Sequence, residues 1–142
     1  MKHARFEAVE KSKDPSTKVA CLIVDDENST LSTGYNGIPR GVLDLPNRME
    51  RPQKYKWMQH AEANAVSNAA RNGTSLRGST AFVTHYPCPP CAGQLINAGI
   101  KQLVVDESQM TEDFLKRYEE DFKISQAMLE EAGVIVKMIR LE

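Results

Sequence analysis

The first clear pattern along the chain is a β-rich run at positions 19–24 (VACLIV), a polar stretch at 25–29 and a second β-prone run at 30–35. Two short strands around a polar turn predict a hairpin. The following segment, 34–41 (GYNGIPRG), has three glycines and a proline and cannot be regular helix or a central strand, so it is expected to be a shaped loop. From 60 to about 72 alanine recurs, the best helix former, and Gly73 offers a C-terminal stop. A short apolar run at 80–84, a helical stretch at 88–98 stopped by Gly99, and a run at 102–105 predict strand, helix and strand. Phe114, Tyr118, Phe122, Leu129 and Ala132, spaced mostly by three or four, predict one amphipathic helix over 113–132, and 134–139 a last strand. Strand and helix alternate after position 60, which predicts an α/β fold whose sheet is largely parallel there and opens with an antiparallel hairpin.

Composition narrows this picture only a little. A length of 142 residues, 41% hydrophobic and 26% charged, fits one soluble domain spanning 1–142 and not a disordered chain. No apolar run approaches a membrane span, and the opening MKHARFEAVEKSKD lacks a signal peptide's apolar stretch, so a cytoplasmic protein is expected. The net charge of -1 is unevenly spread: residues 101–142 hold ten acids against six bases. That acidic third argues against a long nucleic-acid track, whereas Arg48, Arg51, Lys54 and Lys56 around a lone Glu50 would suit a small phosphate, or be no more than a solvated loop.

Chemistry concentrates in two motifs, His60-Ala61-Glu62 and Pro87-Cys88-Pro89-Pro90-Cys91. Tetrahedral zinc takes imidazole and thiolate readily, and a catalytic site leaves its fourth position to water, so His60, Cys88 and Cys91 suffice as ligands. Both motifs fall at expected helix starts, where the dipole favours thiolates. Glu62 is two residues, about 200°, around a helix from His60, which suits a proton carrier better than a ligand. The alternatives are a redox pair at Cys88 and Cys91, disfavoured by the two intervening prolines, and a structural zinc site, which would need a fourth ligand. Candidates for that ligand are His85, on the strand leading into the pair; Cys21, inside an apolar run and better read as a small hydrophobe; and His3, near the terminus.

The two motifs together match the zinc deaminase signature. With the segment 12–18 (SKDPSTK) and the loop 34–41, the chain resembles the deoxycytidylate (dCMP) deaminase family over most of its length. The resemblance implies a three-layer α/β/α cytidine-deaminase-like fold with a five-stranded mixed sheet, and hydrolysis of dCMP to dUMP and ammonia, supplying thymidylate synthesis. It implies one catalytic zinc per subunit on His60, Cys88 and Cys91, with Glu62 moving protons. It further implies substrate contacts from Asn36 and Ala61, regulation by dCTP and dTTP near Tyr35 and Gly37, Mg2+ accompanying such a triphosphate, and a trimer or hexamer. Asn36 can donate and accept at once, as a sugar hydroxyl or base edge requires; the alternative reading is a turn residue that tolerates positive φ. Tyr86 could lie along the pyrimidine or belong to the core, and Arg40, Ser12 and Lys13 are candidate phosphate contacts. Residues 42–59 lack Cys and His, so a second zinc is not expected, and His85 and Tyr86 stand where relatives carry apolar or small residues.

Rival functions remain a nucleic-acid deaminase, which would need a basic surface, a nucleoside or guanine deaminase, and a silent nucleotide-binding module. Retention of Glu62 argues against the silent module.

Overall fold

A computed structural model describes residues 1–142. A five-stranded mixed sheet has the order β2-β1-β3-β4-β5. Its strands are β1 (Ala20–Val24), β2 (Thr30–Tyr35), β3 (Thr80–Val83), β4 (Gln102–Asp106) and β5 (Ile135–Ile139). The hairpin forms as expected: Cys21 pairs with Gly34 and Leu22 with Thr33. β1 also runs antiparallel to β3, while β3, β4 and β5 are parallel.

Helices lie on both faces. On one, α3 (Ala61–Asn72), α4 (Pro89–Ala98) and α6 (Glu119–Glu131) enclose the main core, in which Ala61, Ala65 and Ala69 meet Cys21, Ile23 and Val83, and Leu95 and Leu129 meet Leu103 and Val105. Gly73 and Gly99 end α3 and α4 in left-handed backbone (φ 66° and 93°), which glycine adopts at no steric cost. The other face is covered by α1 (Lys2–Lys11), whose Ala4 and Ala8 pack on Ala20, Leu22 and Val24. Sequence periodicity does not reveal α1, because its buried stripe is two alanines and Glu7 within a run of charges. The terminus bearing His3 is therefore helical, and His3 lies 3.4 Å from Glu7.

The C-terminal segment departs from the expected single helix. It forms α5 (Glu112–Arg117) and α6, parted at Tyr118 (φ -108°, ψ 15°), although no Gly or Pro occurs between 112 and 131. Tertiary contacts explain the break: Phe114 packs edge-on against His85 with ring centres 5.3 Å apart, and Phe122 against Tyr86 at 5.2 Å, while Tyr118 touches both phenylalanines. Ala132 is exposed beyond the end of α6 and is not part of the buried stripe.

Close approach of α3 to the hairpin places the first motif. Gly34 has no side chain, and a Cβ there would stand 2.3 Å from both the Ala61 carbonyl oxygen and the Ala65 amide nitrogen. Ser32 Oγ donates to the Ala65 carbonyl at 2.6 Å on the same seam. The second motif follows β3 directly. The Ala20 N–H donates to Thr84 Oγ1 at 3.0 Å, holding the chain beside β1 past the end of β3 and so aiming residues 85–88 at the start of α3.

Candidate active site

His60 is the N-cap of α3 and Cys88 the N-cap of α4. Pro89 and Pro90 occupy the first positions of α4, where a missing N–H costs nothing because those amides have no partner within the helix. Cys91 follows one residue later, in the same first turn. Two helix N-termini thus converge, as their sequence positions predicted, and both favour negative charge.

The three donors meet. His60 Nδ1 lies 3.3 Å from Cys88 Sγ and 3.4 Å from Cys91 Sγ. Zinc bond lengths of about 2.0 Å to nitrogen and 2.3 Å to sulfur at a tetrahedral angle put those atoms about 3.5 Å apart, so the set fits the ion closely. No other His, Cys, Asp or Glu joins the cluster, all of whose ligand atoms lie within 4.8 Å of one another. Three ligands leave a tetrahedral ion one free position, the catalytic and not the structural pattern. Cys21, weighed as a fourth ligand, is fully buried on β1, where burial and then Glu62 push its thiol well above its ordinary value.

Charge in the cluster is arranged for a cation. The Cys88 thiol is held down to about 4, chiefly by a hydrogen bond from Cys91 and, against burial, by the His60 ring. Cys91 is pushed up by its bond to Cys88 and by burial. His60 is raised, first by its bond to Cys88. A dication bound by this pair would displace its thiol protons. Glu62, 4% exposed, is raised by burial, against hydrogen bonds from its own N–H and from Cys91. A carboxyl nearer neutrality is suited to carrying a proton both ways.

A cavity of about 320 Å³ opens over this group, within the range of small-molecule sites. His60, Ala61, Glu62 and Cys88 contribute to its lining together with Asn36, His85 and Tyr86. One wall consists of Phe114, Tyr118 and Phe122, which the sequence pattern assigns to the core. Their four-residue spacing is the same for a core stripe and a pocket wall, so no local signal distinguishes the two. His85 is not a ligand; it lies in this wall with Nδ1 buried and unpaired, and burial lowers it.

Asn36 lines the cavity with its amide engaged by the protein. Its Oδ1 accepts from Ser12 Oγ at 2.7 Å and from the Val19 N–H at 2.9 Å, and its Nδ2 donates to the Thr17 carbonyl at 2.8 Å and to Asp14 at 3.4 Å. Asp14 and Lys54, 3% and 4% exposed, form a buried ion pair at 3.0 Å on the same wall. Arg51 of the basic segment also reaches the cavity, whereas Arg48 stacks over Trp57 with its guanidinium 4.0 Å from the ring centre.

Some expected residues lie elsewhere. Arg40 points away from the cavity and donates to Asn68 Oδ1 at 2.6 Å along the outer side of α3. Lys13 is exposed and pairs with Asp44 at 2.6 Å. Tyr35 is exposed at the end of the edge strand β2, and Gly37 bridges Gln59 just before the first motif.

Comparison with known proteins agrees with the geometry. A family model described as the cytidine and deoxycytidylate deaminase zinc-binding region matches residues 1–107. An uncharacterized deaminase of Aliivibrio fischeri, from the luxG 3′ region, is 44% identical over 131 residues, covering 92% of this chain and 85% of that protein. A probable deoxycytidylate deaminase of Caenorhabditis elegans is 38% identical over 147 aligned residues, covering 97% of this chain and 70% of that one. The crystal structure of the cyanophage S-TIM5 dCMP deaminase in complex with dCMP and dUMP matches with a TM-score of 0.71 at 28% identity, covering 97% of this chain and 92% of that chain.

Proposed function

The chain belongs to the cytidine and deoxycytidylate deaminase family, and on that premise we propose that it hydrolyses dCMP to dUMP and ammonia. The observation that carries the proposal is the buried Glu62 beside three zinc donors with no fourth protein ligand, on the floor of a cavity sized for a small molecule. A structural zinc site or a silent binding module would need neither the free position nor the carboxylate. The relatives point to the nucleotide: the worm protein bears the name of a deoxycytidylate deaminase, and the phage enzyme was crystallised with dCMP and dUMP.

His60, Cys88 and Cys91 would hold zinc, whose Lewis acidity makes water nucleophilic near neutral pH. Glu62 takes a proton from the attacking water and delivers it to the ring nitrogen beside the amino-bearing carbon. Glu62 then takes the second proton, from the hydroxyl now on that carbon, and passes it to the amino group; the carbon–nitrogen bond breaks, ammonia leaves, and the oxygen stays on the ring as the carbonyl. Burial serves this cycle by raising the carboxyl's proton affinity above its ordinary value, which favours taking the proton from water. Ala61 and Tyr86 line the cavity where the ring would lie, beside the aromatic wall. Asn36, its amide hydrogen-bonded to Ser12, Thr17 and Val19, contributes by holding the segment 12–19 at the cavity.

The proposal extends to supply of dUMP for thymidylate synthesis and to a homo-oligomer in which dCTP raises and dTTP lowers the rate at the segment around Tyr35 and Gly37. Exposure of Tyr35 supports that reading, and rates with and without each triphosphate test it. The central test is ammonia release from dCMP, CMP, deoxycytidine and a tRNA by zinc-loaded protein. Turnover of dCMP above the others is expected; none from dCMP would sink the assignment.

A further inference from the structure

Three cations face the cavity: Arg51, Lys54 and Arg117. They differ in what they already hold. A lysine ammonium has three protons to donate. Lys54 directs its three contacts to the two Asp14 oxygens, at 3.1 and 3.0 Å, and to Ser16 Oγ at 2.7 Å. It therefore has no donor left for a ligand, and Asp14 cancels its charge.

The two arginines are free. Arg5, Arg40, Arg48 and Arg140 each pair with an acid, an amide or a carbonyl, whereas the guanidinium groups of Arg51 and Arg117 make no hydrogen bond or ion pair within the chain; Arg71 and Arg77 are also unpaired but lie outside the cavity. Arg51 comes from the loop before α2 (Lys54–Trp57), and Arg117 from the last turn of α5, so two separate parts of the chain bring unpaired guanidinium groups to one cavity. A guanidinium presents paired N–H donors that match two phosphate oxygens. Asp121, one turn after Arg117, is the one acid on this wall besides Asp14 and Glu62; it forms no ion pair with Arg117.

We propose that Arg51 and Arg117 together clamp the 5′-phosphate of the substrate. The choice of a nucleotide over a nucleoside then depends in part on α5, outside the residues 1–107 that match the family model. This inference rests on the dCMP reading above. Lys54, the most buried of the three cations, takes no direct part.

The test compares zinc-loaded wild-type protein with Arg51→Gln, Arg117→Gln and the double variant. Each single change is expected to raise KM for dCMP by about tenfold or more, as loss of a charge-assisted contact does, with kcat nearly unchanged and deoxycytidine kcat/KM unaffected. Calorimetric binding of dUMP should weaken in parallel. A double variant with wild-type KM for dCMP and wild-type dUMP affinity overturns the clamp, and so does equal loss toward dCMP and deoxycytidine, which would mean a disturbed fold. Failure of the functional reading is distinct: wild-type protein would release no ammonia from dCMP. In that event dUMP binding lost in the double variant still supports the clamp, and absence of dUMP binding to wild-type protein overturns it.

Discussion

Gly34→Ala adds a single methyl group where β2 meets the helix that starts at the His60-Ala61-Glu62 motif. Elsewhere in a strand this exchange would stabilise by about 0.5–1 kcal/mol, because glycine loses more backbone freedom on folding. Here the new Cβ would stand 2.3 Å from the Ala61 carbonyl oxygen and the Ala65 amide nitrogen, and 2.9 Å from Ala65 Cα. Carbon needs about 3.5 Å or more from a non-bonded heavy atom, and all three obstacles are backbone, so α3 must withdraw by roughly 1 Å. Overpacking of this kind costs about 1–3 kcal/mol and occasionally more, which exceeds the strand gain. With backbone at every obstacle the cost falls at the upper end, about 3 kcal/mol, so a net loss of about 2 kcal/mol is expected, lowering Tm by about 7 °C for a chain of this size. Glu62 lies in the first turn of the displaced helix and His60 caps it. A shift of about 1 Å at a reacting group can cost roughly 10²-fold in rate, so kcat for dCMP should fall by about that factor. Urea denaturation and steady-state ammonia release on the same preparation give both numbers. Wild-type stability together with wild-type kcat would refute the idea that close packing at Gly34 positions the site.

Glu62→Gln should retain one zinc by metal analysis while losing about 10² to 10⁴-fold in turnover, and a near-normal rate would reassign the proton carrier. Lys54→Met strips the countercharge from buried Asp14 and should cost about 3 kcal/mol in urea titration, the lower end for a broken buried pair because the Ser16 and Thr17 amides still bind the carboxylate. A loss under about 1 kcal/mol would show the pair to be structurally idle. Burial pushes the Asp14 carboxyl up, but the Ser16 and Thr17 amides and Lys54 outweigh it and hold it below its ordinary value of 3.8. Its contribution to stability is therefore complete above the unfolded value, near pH 4, and disappears as pH falls through the lower folded value. Unfolding free energy measured from pH 6 down to pH 3 should fall more steeply in wild-type protein than in Asp14→Asn; parallel curves would contradict this.

Local sequence determined the two halves of the candidate metal site. His60, Cys88 and Cys91 each sit in or next to the first turn of a helix whose start and glycine stop are readable, so spacing alone brings the two sulfurs together and turns Glu62 from the ligand direction. The hairpin and the strand–helix alternation were legible for the same reason, since period and punctuation are local properties. The walls of the cavity were not. Phe114, Tyr118 and Phe122 have the spacing of a core stripe, and only packing against His85 and Tyr86 breaks the helix at Tyr118 and gives these rings to the cavity. Helix α1 hides its small buried face among charges. Arg40 and Arg117 look alike in sequence, but Asn68 holds one outside while the other reaches the cavity unpaired. Asn36 and Lys54 carry polar groups that could serve a ligand, and partners 17 to 40 residues away occupy them. Which polar group remains free is a property of long-range contacts, and only the tertiary structure decides it.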